Sequence, residues 1–132
     1  MNKPLSDAPQ SKNAVSVQPD WDVQELLERL EQDRVFLIEL LTIFRQDSDK
    51  SITDARTQLA NHDLPKLERT AHTLKGMMRN LVMHRAAAAA SDLESAARER
   101  NLQRATTALQ QLDLAMQQLL PEVEAQLTEV KV

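Results

Sequence analysis

Cysteine and tyrosine are absent from these 132 residues, glycine occurs once, and aromatic side chains make up 2% of the chain. Without cysteine there is no disulfide, no thiolate metal site and no thiol nucleophile, which accords with a reducing cytosol, and a cytoplasmic location is the expectation. An excess of basic residues is also missing. The formal net charge is −4, so the footprint of a phosphate-backbone partner is absent and nucleic-acid binding is not expected. Long apolar runs are lacking too. The strongest, Val35 to Phe44, is broken by Glu39 and too short to cross a bilayer, and residues 1–20 carry no apolar signal segment, so no membrane insertion is expected.

What remains is rich in Ala, Leu, Gln, Glu and Arg, which favours helices over strands, and 42% hydrophobic content suffices for one core. Residues 1–19 are Ser, Asn, Lys, Gln and Pro with scattered apolars and no period, the composition of a disordered tail or linker. Residues 20–132 are expected to form a single domain. Asp22, with Glu25 three positions on, reads as a capping box opening a short helix through Val23, Leu26, Leu27 and Leu30. A long helix follows from near Asp33, with a stripe of Leu37, Leu40, Leu41, Phe44, Ile52, Ala55 and Leu59. Asp63 caps a third helix with Pro65 in its first turn, and Leu64, Leu67, Ala71, Leu74, Met78 and Leu81 recur at helical spacing. A fourth, Ala-rich helix runs from about Arg85 to Arg98, with Asn101 as its stop. The last carries Leu102, Ala105, Leu109, Leu112, Met116 and Leu119, and Pro121 is expected to kink or interrupt it before Val123 and Leu127. The predicted fold class is all-α: an antiparallel four-helix bundle with a short additional N-terminal helix.

If Leu67, Ala71, Leu74 and Met78 face the core, Glu68, Arg69, His72, Lys75, Gly76 and Arg79 share the outer face of the third helix. A surface histidine is ordinary, but a neutral imidazole is also a competent nucleophile near neutral pH and can carry a phosphoryl group covalently. Such transfer asks the protein for in-line positioning and positive charge, which Lys75 and Arg79 could supply. Gly76 sits in mid-helix one turn after His72, where it costs about 1 kcal/mol relative to Ala; an open approach for another protein is a reason to keep it. Glu68, one turn before, could hydrogen-bond the second ring nitrogen of His72. His62, in a turn, and His84, near a helix end where a cation meets the dipole favourably, read as structural. Glu68 and His72 are four apart, but a di-metal bundle needs Glu-x-x-His pairs on two helices, so no metal site is expected.

The segment Ala71-His72-Thr73-Leu74-Lys75-Gly76 resembles the histidine phosphotransfer (HPt) signature A-H-x-L-K-G, and Leu93-Glu94 falls where that family usually has a Leu-Glu pair. The resemblance covers about residues 20 to 127. It implies that His72 is the phosphorylated residue, that Lys75 assists near the phosphoryl group, and that Gly76 admits the receiver domain of a response regulator or hybrid histidine kinase. Any magnesium would belong to that receiver, with no cofactor in this chain, no independent enzymatic turnover, and a monomer as the expected state. Met77 and Met78 stand where the family has small residues, Val82 where it commonly has Gly, and residues 86–90 are all Ala where one Leu is usual. Met77 could serve either as a docking contact or as a gap-filler in the bundle.

The alternative is a helical adaptor that docks a receiver or partner helix without phosphate chemistry; intact His72, Lys75 and Gly76 speak against it. A kinase dimerisation module would need an ATP-binding domain, and the single glycine leaves no nucleotide loop.

Overall fold

In the structure, a computed structural model, residues 19–131 are described, with side chains through Glu129. The expected tail over residues 1–19 lies outside them except for Pro19. Five helices and no strand occupy the described residues: α1 Val23–Arg29, α2 Arg34–Ala60, α3 Leu64–Asn80, α4 His84–Arg98 and α5 Leu102–Lys131. The all-α expectation holds, and α2 to α5 form the bundle in which each packs on its sequence neighbours and α5 closes back on α2.

Polar side chains at the N-termini set where these helices begin, except at α4, which follows Met83 without a side-chain cap. Asp22, Asp33 and Asp63 each accept a backbone N–H three residues on, at 3.0, 3.0 and 3.3 Å. The capping box at Asp22 is only half formed. Its own N–H donates to Val82 O at 3.0 Å, and the Glu25 carboxylate pairs with Arg29 instead of reaching back. Together with the buried bond from Trp21 Nε1 to Leu81 O, 2.8 Å, this fastens α1 across the turn between α3 and α4.

The helix ends differ from expectation more than the beginnings do. Asn101 takes part in the stop of α4 through its N–H, which closes that helix on Ala96 O at 2.9 Å, but it is not the left-handed residue there. It caps α5, accepting from Arg104 N at 3.0 Å, while the left-handed residue ending α4 is Arg100, φ 59°. The same motif closes the other connections within the bundle. His62 and Val82 lie at φ 57° and 59°, and Asp63 N, Met83 N and Asn101 N each donate to the carbonyl five residues back, at 2.8 to 2.9 Å. In each case the residue closing one helix is the N-cap of the next, so each connection is only three residues long. Left-handed backbone costs an ordinary L-residue about 1–2 kcal/mol, and no glycine relieves it here. Replacing exposed Arg100 by Gly should therefore raise unfolding stability by about 0.5–1 kcal/mol after the flexibility Gly adds to the unfolded chain, seen as a higher urea midpoint with unchanged slope.

Pro121 does not interrupt α5, which runs unbroken to Lys131. The ring lies on the exposed face, where the carbonyl it frees can bond water, while Leu119, Val123 and Leu127 stay 4%, 0% and 5% exposed and hold both halves to the bundle. On α4 the buried residues are Ala86, Ala87, Ala89, Ala90, Ala96 and Ala97 with Leu93 and Glu94. Side chains this small let α3 and α4 approach closely, which brings the outer edge of α3 within reach of α4 side chains.

Candidate functional site

Leu67, Ala71, Leu74 and Met78 are 0% exposed, so the core face of α3 is the one that the spacing predicts. His72 therefore projects from the opposite side with 68% of its side chain exposed. Its ring is nonetheless tethered, because Nδ1 lies 2.8 Å from Glu94 Oε2 on α4. Nε2 makes no hydrogen bond to the described residues.

Glu94 is the one buried charged side chain among the described residues, 5% exposed. Lys75 Nζ donates to its Oε1 at 2.6 Å, and Arg98 Nη2 donates to Oε2 at 3.1 Å. The Lys75 hydrogen bond, with a smaller contribution from His72, holds the Glu94 carboxyl below the usual carboxylate range, outweighing the opposing effect of burial. An ionised carboxylate can only accept. The hydrogen between Glu94 and His72 therefore sits on Nδ1, and Nε2 is left as the unprotonated nitrogen of the neutral ring.

The residues singled out from the sequence divide into those joined to this network and those beside it. His72 and Lys75 meet on Glu94. Glu68 does not reach the ring as expected. Arg98 Nε donates to Glu68 Oε2 at 3.0 Å, so Glu68 touches the network only through Arg98, whose guanidinium it holds above its ordinary proton affinity. The imidazole turns instead toward α4, where Glu94 offers a buried and already ionised acceptor. Arg79 is exposed, forms no ion pair with the described residues, and lines an open groove between α3 and α4 with Asn80, Ala87, Ala88 and Ser91. At Gly76 a Cβ would meet no atom of the described residues within 4 Å, so packing within the chain does not explain the missing side chain.

Of the positions departing from the family pattern, Met78 is fully buried, Met77 is half-buried against the core, and Val82 keeps the turn after α3 despite its branched side chain. His62 is exposed in its turn. His84 is the first residue of α4, the positive end of that helix and not the end where a cation gains, and potential ligand atoms of Asp22, Glu25 and His84 lie within 4.8 Å of one another. The Asp22 carboxylate is already the cap of α1 and the Glu25 carboxylate the partner of Arg29, so both acidic groups are engaged within α1. Among the described residues no helix is long and apolar enough to cross a membrane.

Two functional candidates were missed by pattern reading. Glu94 entered only as half of a Leu-Glu pair, although it lies on the Ala-Leu stripe of α4, where a charge is out of place. Arg98, one turn further, follows from the spacing of four on the same helix.

Residues 39–122, more than half of the chain, match the Hpt domain family. The chain matches no curated protein sequence. Its fold is similar to the X-ray structure of a rice protein assigned to the histidine-containing phosphotransfer proteins, with TM-score 0.72 and 20% identity over 89% of this chain and 86% of that one. At that identity the likeness shows a shared helical fold, while the family match rests on the sequence itself. The chain belongs to the Hpt domain family.

Proposed function

We propose that this chain is the phosphocarrier of a two-component phosphorelay, taking a phosphoryl group onto His72 from the aspartyl phosphate of one receiver domain and passing it to another. The observation that carries the reading is the exposed imidazole whose Nδ1 is held by buried Glu94, next to a glycine opening onto free space. In the forward step the Nε2 lone pair forms the N–P bond as the acyl P–O bond breaks, and the electron pair of that bond returns to the receiver carboxylate. The ring keeps its Nδ1 proton and gains a formal positive charge that the Glu94 carboxylate faces. The reverse step restores the neutral ring. Magnesium belongs to the receiver, and the chain turns over no small substrate of its own. Receivers of response regulators or hybrid kinases place it in the cytoplasm, acting as a monomer through a modest, transient interface.

The test is incubation of the purified chain, and of His72→Gln, with a phosphorylated receiver, followed by intact-mass measurement at neutral pH and after mild acid. One acid-labile phosphoryl group on the wild type and none on the variant is the expected result. A folded wild type that gains nothing from several receivers would leave the helical adaptor as the better reading.

A further inference from the structure

Lys75 is the cation expected to meet the phosphoryl group, yet at rest its ammonium is committed to Glu94 Oε1 at 2.6 Å, with 17% of its side chain exposed. Moving it toward Nε2 would strip the strongest donor from a carboxylate that is 5% exposed, and an unpaired buried charge opposes such a movement. Arg98 answers this difficulty. It shares Glu94 Oε2 with the imidazole, 3.1 Å from Nη2, and its Nε is anchored on Glu68 Oε2 at 3.0 Å, so it stays on Glu94 wherever Lys75 goes.

Resting on the phosphocarrier reading, we infer that Arg98 is a positioning residue, the standing counter-ion of Glu94 that frees Lys75 to follow the phosphoryl group. Arg98 then acts on the transfer through Lys75 and not by touching phosphate. The groups facing Glu94 are His72 and Lys75 from α3 and Arg98 from α4, with Glu68 behind Arg98. As the phosphoryl oxygens arrive at Nε2, Lys75 exchanges Oε1 for them. Arg98 and the Nδ1–H remain on Oε2, and the buried carboxylate is never without a cation.

The full chain can be charged without any receiver by phosphoramidate, whose P–N bond breaks with loss of ammonia as the Nε2–P bond forms. Rates of charging, followed by phosphorus NMR, would be compared for wild type, Lys75→Ala, Arg98→Met, Arg98→Lys and the Lys75→Ala/Arg98→Met double variant. Arg98→Met should slow charging about fivefold when Lys75 is present and less than about twofold when it is not, a coupling of the size seen between residues of one salt-bridge network. Arg98→Lys, which keeps a cation on Oε2, should restore the rate to within about twofold of wild type. Equal slowing in both backgrounds, or no slowing at all, would overturn the inference, as would failure of the lysine rescue in a variant whose circular dichroism and melting are native. A wild type that phosphoramidate does not label on His72 would instead remove the phosphoacceptor reading, and this inference with it. Labelling without exchange to receivers would fault the relay reading alone.

Discussion

Glu94→Gln is expected to slow the charging of His72 by a receiver about ten- to hundredfold, the span of one charge-assisted hydrogen bond of about 1.5–3 kcal/mol. The amide oxygen can still accept Nδ1–H, so the ring stays tethered. What is lost is the charge facing the imidazolium as the N–P bond forms, together with the partner that sequesters Lys75 until it is required. At neutral pH the substitution should also cost about 1–3 kcal/mol of stability, toward the lower end because His72 and Arg98 keep their access to water. The acid limb separates the charge from the packing. The Glu94 carboxyl titrates below its ordinary value of 4.5 in the folded chain, so below that pH the unfolded chain binds more protons than the folded one. Its contribution is complete above about pH 4.5 and fades as pH falls through the folded value. Urea midpoints at pH 7 and pH 3 should therefore drop further for wild type than for Glu94→Gln, and equal drops would show that the ionised network adds no stability.

Gly76→Gln should have the opposite profile, a sounder fold and a poorer carrier. Gln is a good helix former, the backbone at Gly76 is ordinary helix, and nothing lies within 4 Å of the added Cβ, so stability should rise by about 0.5–1 kcal/mol. The longer side chain would occupy the approach to His72. Receiver affinity should fall about tenfold or more, each factor of ten being about 1.4 kcal/mol of interface energy. Labelling of His72 by phosphoramidate, which needs no interface, should stay within about twofold of wild type. If receiver affinity proved unchanged, the missing Cβ would have nothing to do with docking.

Beginnings of helices were legible in the sequence because a cap is a local event: an aspartate and the N–H three residues on, at Asp22, Asp33 and Asp63. The core face of α3 was legible because four side chains repeat at a fixed angle. Ends were harder. Left-handed closure is normally signalled by glycine, and here His62, Val82 and Arg100 adopt it instead, leaving no marker. Asn101 was read only as the close of α4, whereas in a three-residue connection its N–H closes that helix while its side chain caps α5. Pro121 was expected to kink or interrupt α5, yet the spacing of Leu119, Val123 and Leu127 across it already implied a continuous buried stripe, and the helix runs on unbroken. The position of His72 on the surface followed from periodicity alone, but its partner did not. Glu68 was nearest along the chain, whereas Glu94 is nearest in space, 22 positions away, and only the close packing of α3 on α4 makes the second proximity outweigh the first.

The brevity of those connections bears on how the chain can vary. Residues 81–83 both end α3 and start α4, so they fix the rotational phase of one helix against the other. One residue inserted there would turn α4 by about 100° about its axis and carry Glu94 off the seam, with Arg98 following it. Substitution can therefore proceed along the outer faces away from His72, and length can change beyond the ends of the bundle. The loop between α3 and α4 is closed to insertion and deletion, and descendants of this chain should keep its length even where they keep none of its residues.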